Sequence, residues 1–277
     1  MGRVIQTLPL RQPVKGVTTL ENRLYLLYGK KSAEQIAVYD IDSFHFLRCL
    51  TVPGLGDRGA ADIVACGHYC CAYISDNSNY SVHRVALSDT TVTHWPVNDK
   101  PSRLSLTYTH GVLVSCRRVR RVKEFSTDGQ LLHVLNLPQE VLSPWHTIQL
   151  SSGQFIVCCG GLDDQIHRIC LTVSDGSIVK SFGGEKGSGS QQMNVPAHMA
   201  VDRNYFVFVA DANNRRVMLL SPQLTYVREV VSREQFRWRP VRVHLDCDRG
   251  RLYVADNEYN RDGKCIAGQV VVASTYS

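Results

Sequence analysis

Residues 182–220, FGGEKGSGSQQMNVPAHMAVDRNYFVFVADANNRRVMLL, decide the fold. The opening loop carries Gly183, Gly184, Gly187 and Gly189 and sustains no regular element, and Pro196 closes it. Three short apolar runs follow at 199–201, 206–210 and 217–220, set apart by the polar breaks 202–204 and 211–215. Short strands with close-set turns predict an antiparallel meander. One sheet of that size cannot cover its own faces, so the unit should recur.

It does recur. Pro196, followed two residues on by His198 and an apolar run, is one instance of a frame that returns four times. The copies are Pro13-Val14-Lys15, Pro101-Ser102-Arg103, Pro144-Trp145-His146 and Pro240-Val241-Arg242, with a proline-free copy at Ala60-Ala61-Asp62. Frames thus begin near 13, 60, 101, 144, 196 and 240. Six strand-rich units of about forty-five residues predict an all-β, six-bladed β-propeller with four antiparallel strands per blade. Residues 1–277 are then one domain. A strand at 4–8 precedes the first frame with no meander of its own, and the sixth unit has strands only near 243–245, 251–255 and 269–273. The N-terminal strand is therefore expected to close the last blade as its outer strand, leaving no open seam. Nowhere does a 3.6-residue apolar period last three turns, so no helix is expected.

The fifth unit resembles an NHL repeat, matching V-x-D-x-x-N-x-R-[VI] with Asp211, Asn214 and Arg216. Unit six keeps Asp256 but has Tyr259 at the asparagine place and an insertion at 260–263. Unit two keeps Asp76 and Asn79 with Ser81 for arginine, and unit three keeps only Arg121, with Cys116 and Val119 elsewhere. These motif residues are expected to brace neighbouring blades, because a repeated motif usually repeats for packing. The resemblance implies a non-catalytic binding module, similar to the propellers that end TRIM-type ubiquitin ligases, of which some bind single-stranded RNA and others proteins. No RING or B-box cysteine and histidine pairs are present, so this would be a free-standing propeller or part of a longer chain.

Composition agrees with a globular protein: 44% hydrophobic and 20% charged residues, with net charge +6. No apolar run nears the roughly eighteen residues of a membrane span, and the N-terminus lacks a secretion h-region. A soluble, cytoplasmic protein is expected. Cys66, Cys70, Cys71, Cys116, Cys158, Cys159, Cys170 and Cys247 fall in or beside predicted strands and read as buried free thiols rather than disulfides or zinc ligands. The sequon Asn79-Tyr80-Ser81 then carries no sugar.

Two groups of residues could bind a ligand. In a propeller the first strand of each blade lines the channel, so the third residues of the six frames, Lys15, Asp62, Arg103, His146, His198 and Arg242, should ring its mouth. Either that ring attracts an anion, or its side chains fan outward into water or pair with Asp62 and the frame backbones. On the same face lie the turn Arg117-Arg118-Val119-Arg120-Arg121-Val122-Lys123, then Arg215, the connection Phe236-Arg237-Trp238-Arg239, Lys100 and Trp145. Basic side chains for phosphates and aromatic ones for bases suit single-stranded RNA, and the same face suits an acidic peptide or protein, the broader class. The tryptophans could equally cap the gaps between blades. A third possibility follows from six-bladed propellers of similar outline that are metal-dependent lactonases or a peptide-amidating lyase. Asp62, His146, His198 and His244 would be the ligands here, but Lys15, Arg103 and Arg242 stand among them and repel a cation. No metal, cofactor or catalytic residue is expected.

Overall fold

The computed structural model describes residues 2–10, 12–28, 35–55, 59–262 and 264–275; Gly263 of the unit-six insertion lies outside them. Six four-stranded antiparallel sheets form the molecule. Their innermost strands are Val14–Leu20, Ala60–Cys66, Arg103–Leu106, Pro144–Gln149, Pro196–Val201 and Arg239–Asp246 for blades one to six. Each neighbours the next, and blade six neighbours blade one, so the ring is closed. Val4–Leu10 is the outer strand of blade six, paired antiparallel with Cys265–Ser274 from Val4↔Ala273 to Leu10↔Gly268. The lone N-terminal strand thus closes the propeller as the sequence predicts. The Gly2 amide also donates to Val230 O at 2.8 Å, tying the terminus to blade five.

The second strand of each blade is the most apolar, and the packing explains why. Cys71–Asp76, Val112–Cys116, Phe155–Cys159 and Val207–Asp211 are buried along their whole length because a sheet lies against each face. Outer strands such as Phe46–Thr51 keep one face in water. The core is therefore divided into six layers between adjacent blades. Leu26, Tyr28, Tyr253 and Val272 fill the layer between blades six and one, and Val82, Trp95, Val114 and Phe125 fill that between two and three.

Three single turns of 3₁₀ helix, Arg117–Val119, Ala212–Asn214 and Arg233–Gln235, are the only helical pieces among the described residues. The first shortens the basic turn of blade three. The third strand there begins at Arg121, and Val122 and Lys123 are buried strand residues rather than turn residues. All ten cysteines are free. Of the eight expected to be buried, Cys66, Cys71, Cys116, Cys158, Cys159 and Cys170 are. Cys70 is exposed, at a turn corner with φ 45°, and Cys247 is half-buried.

Candidate anion-binding face

The channel mouth is organised by one carboxylate. Asp62 is 1% exposed. It accepts the Leu104 amide of blade three at 3.0 Å and Arg242 Nε of blade six at 3.2 Å, and lies 3.4 Å from His198 Nε2 of blade five. Arg242 Nη2 and Arg103 Nη1 both reach the Ala61 carbonyl, at 2.6 and 3.5 Å. His146 stacks on His198 with ring centroids 3.8 Å apart. Its two nitrogens are spent on Leu104 O (3.1 Å) and the Met199 amide (3.3 Å). Five of the expected ring residues therefore do converge, but they turn inward on one another instead of fanning into solvent.

The sixth does not belong to the ring. The first strands carry a bulge after Ala60, Pro144, Pro196 and Pro240, and the residue beyond it is the ring residue. In blade one the bulge follows Val14, so the equivalent position is Gly16, and Lys15 is the bulged residue. A Cβ on Gly16 would lie 2.7 Å from the Ile63 amide nitrogen and 3.2 Å from Asp62 Oδ1. Close packing at the centre demands glycine there, as NHL repeats often have.

Burial sets the charges. It pushes the Asp62 carboxyl upward, but His198, Arg242 and Arg103 together outweigh it and hold the group below the usual carboxylate range. Burial lowers His198 further than Asp62 raises it, and His146 falls well below the usual histidine value. Both rings are neutral at pH 7. Burial, then Arg242, push Arg103 down to about 9, with Asp62 opposing, so it stays charged at neutral pH. Two guanidinium groups thus share one carboxylate.

The motif residues, expected to brace neighbouring blades, instead tie each blade to the connection that enters it, with substitutions the motif does not reveal. In blade five, Asp211 accepts the Asn194 amide at 2.7 Å, Asn214 Nδ2 at 2.8 Å and Arg216 Nε at 2.8 Å. Arg216 also donates to Gly189 O, Gln192 O and Glu229, so the glycine-rich loop is tied to the blade. In blade two, Asp76 accepts Asn79 Nδ2 at 3.0 Å and lies 3.3 Å from His83 Nε2, which fills the space of the missing arginine. In blade six, Asp256 accepts the Arg237 and Trp238 amides and Gln269 Nε2 at 2.7 Å. Blade three corrects the expectation for Arg121. Its side chain is 49% exposed and 4.0 Å from Asp99, whereas Lys123, two residues along the strand, meets Asp99 at 2.7 Å and donates to Val97 O at 2.7 Å.

Beside the centre lies a groove of about 610 Å³ between blades two, three and four. Lys100, Arg103, Arg117, Arg118 and Arg120 line it, opposed by Asp164. Arg117 packs over the Trp145 ring with Cζ 3.8 Å from the centroid, a cation–π contact. The Trp145 indole N–H donates to Gly160 O at 3.1 Å, and its ring packs against Val195, Ala197 and Ala212, capping the gap between blades four and five. Arg118 and Arg120 are exposed, and their side chains make no hydrogen bond or ion pair among the described residues. Arg120 holds φ 52° at the left-handed corner of the turn. The other basic and aromatic residues face the same way but sit over blades five and six. Arg215 is committed to the Phe236 and Arg237 carbonyls, Arg237 lies over Trp238 at 4.8 Å, and Arg239 lies over Tyr259 at 5.8 Å.

From the opposite side a channel of about 220 Å³, lined by His146, His198, His244, Thr18, Ser105 and apolar neighbours, runs to the underside of the Asp62 cluster. His244, two residues deeper than the ring as expected, accepts from Thr19 Oγ1 at 2.7 Å. Among the described residues no three His, Cys, Asp or Glu side chains are grouped to hold a metal ion. Among the described residues no helix is long and apolar enough to cross a membrane.

No family model and no curated protein matches the chain. Solved structures do. Virginiamycin B lyase from Staphylococcus aureus is 9% identical, with 99% of each chain covered and a TM-score of 0.65. Hydrazine synthase of Kuenenia stuttgartiensis is 11% identical, with 96% of each chain covered and a TM-score of 0.65. A protein of unknown function from Bacteroides caccae is 13% identical over 90% of this chain and 93% of that one, with a TM-score of 0.63. At such identities the likeness is one of fold, the six-bladed propeller.

Proposed function

We propose that this chain is a non-catalytic recognition module of NHL-like type that binds an acidic peptide or protein in the groove beside blade three. The observation that carries this reading is the convergence of Lys100, Arg103, Arg117, Arg118 and Arg120 on one cleft, two of them with no structural duty. Clustered cations of one sign raise the local potential, favour an anionic partner and speed its encounter. Of the channel-mouth residues Arg103 reaches the groove, backed by its cluster with Asp62, His146, His198 and Arg242, while Arg215, Arg237, Trp238 and Arg239 extend the basic surface toward blades five and six and Lys15 toward blade one. Ten free thiols fit a reducing compartment such as the cytosol. Single-stranded RNA is the lesser reading, because Trp145 already carries Arg117 on its ring and leaves no open platform for a base.

Reversing Arg117, Arg118 and Arg120 to Glu removes three positive charges from exposed or half-buried positions and adds three negative ones. Binding of an acidic partner, retrieved from a lysate by the wild-type propeller, should be lost while the thermal midpoint stays within about 3 °C, since surface changes cost about 0.5 kcal/mol or less each and each kcal/mol is worth about 2 °C in a chain of this size. A partner that binds the triple variant as well as the wild type would remove the groove from consideration.

A further inference from the structure

We propose, building on the groove as the recognition site, that its anchoring ligand is the phosphoryl group of a phosphorylated peptide, seated against the free edge of Arg103. Arg103 is 9% exposed, and its Nη1 is turned inward to Ser102 O at 3.2 Å and Ala61 O. Its Nε–H is shielded from water and has no acceptor among the described residues. No hydrogen bond from Nη2 is formed there either. A buried charged donor without an acceptor is costly, and buried polar groups are rarely left so. The Nε–Nη2 side of a guanidinium offers two parallel N–H groups, the fork that accepts two oxygens of a carboxylate or phosphate. Arg103 lines the groove, the same cleft as the rim cations.

The charge balance points the same way. Asp62 bonds directly to Arg242, and Arg103 is left with the remainder of a shared counter-charge. Its lowered pKa, from burial and then Arg242, reflects that deficit. Around the groove five cations face one lining carboxylate, Asp164. A carboxylate brings one charge and two coplanar oxygens, enough for the floor or the rim. A phosphoryl monoester brings about two charges and three oxygens, and meets both at once. A nucleic acid brings diester phosphates of one charge each, and the only aromatic ring of the lining is covered by Arg117. A phosphopeptide uses what the groove offers and needs no stacking platform.

The test compares three fluorescent peptide pools of equal length, random except for a central phosphoserine, glutamate or serine, with a random single-stranded RNA of similar mass. All are titrated by anisotropy against the whole chain at near-physiological salt. The phosphoserine pool should bind at least about tenfold more tightly than the glutamate pool, as expected for added charge and a third acceptor oxygen. Free phosphoserine should displace it from the wild-type protein, and serine should not. Arg103→Lys keeps the charge and removes the fork, and should bring the phosphoserine pool down to the level of the glutamate pool. An undiminished phosphoserine preference in a folded Arg103→Lys protein would overturn the Arg103 seat. Equal binding of the phosphoserine and glutamate pools by wild type, both lost in the triple Glu variant, would overturn the phosphoryl anchor and leave the acidic-partner reading standing. Tightest binding of the RNA, or binding of no pool, would overturn both.

Discussion

Replacing Asp62 by Asn tests the centre of the molecule with the smallest possible change. Asparagine keeps an oxygen for the Leu104 amide but removes the charge that faces Arg242, Arg103 and His198. Asp62 and Arg242 are 1% and 5% exposed, so little solvent screening offsets the loss. Breaking a buried ion pair from one side costs about 3–5 kcal/mol. Arg242 keeps its bonds to Ala61 O and Val241 O, which places the change near the lower end, about 3 kcal/mol. For a chain of this size each kcal/mol shifts the midpoint by about 2 °C, so about 6 °C should be lost. The assay is calorimetric unfolding of the wild type, Asp62→Asn, Arg242→Met and the double variant. In the double variant the orphaned guanidinium is gone, and the cycle should return a coupling above about 1 kcal/mol. The pH dependence follows from the depressed carboxyl. Its stabilisation is complete above the unfolded value of about 4 and is lost as pH falls through the lower folded value. The gap between wild type and Asp62→Asn should therefore be constant from pH 7 to 8, where His198 is neutral in folded and unfolded chains, and should close in strong acid. Additive single-variant effects, or a gap that changes between pH 7 and 8, would refute the assignment of Asp62 as the shared counter-ion.

Two further outcomes follow. Arg216→Ala strips a buried ion pair and two carbonyl contacts and should cost about 3 kcal/mol or more in urea unfolding. Arg121→Ala, the same motif position in blade three, should change stability by about 0.5 kcal/mol or less, as an exposed pair does; equal losses would contradict the exchange of roles with Lys123. Burial, with Asp246 opposing, holds His244 down to about 4, below its unfolded value, so the unfolded state takes up the proton first. The stability that His244 contributes is present above about pH 6.5 and is lost as pH falls toward 4, an upper bound of about 3 kcal/mol. His244→Gln, which keeps an acceptor for Thr19, should flatten the stability profile between those values, and an unchanged slope would show that the ring is already solvated.

Much of the architecture was legible because it is periodic. The frame prolines, the apolar second strands and the unpartnered strand at 4–8 report the six blades and their closure without any knowledge of side-chain contacts. The ring was legible to within one residue. In blades four to six the frame proline itself pairs with the second strand, but in blade one that place falls to Val14, and the count slips from Gly16 to Lys15. No spacing rule reveals such a slip, since the bulge adds a residue without a compositional mark. The stand-ins were also invisible. His83, Lys123 and Gln269 lie on the third strands of their blades and reach the positions that arginine fills in blade five, a relation visible only across a folded sheet. What the linear order hides is that the opening is narrow enough for one carboxylate to touch four blades.

The displacement of the brace in blade three bears directly on function. In blade five the turn is locked twice, by Asp211 with Arg216 below and by Arg215 on the Phe236 and Arg237 carbonyls above. Nothing in that turn is spare. In blade three Cys116 stands where Asp211 does, so no carboxylate exists for an arginine to hold at that level. The tie to the preceding connection drops two residues to Lys123 and Asp99, where it is buried. Arg121 is released to the surface, the Arg118 and Arg120 side chains make no ion pair among the described residues, and Arg117 is held by an aromatic face with the carboxylates of Asp164 and Asp163 acting on its charge from further off. A stretch this basic would normally be destabilising through self-repulsion. It persists on a turn whose structural work has been moved elsewhere, beside a buried guanidinium with a vacant edge. That combination is why the proposed recognition site is put at blade three rather than at the better-conforming blade five.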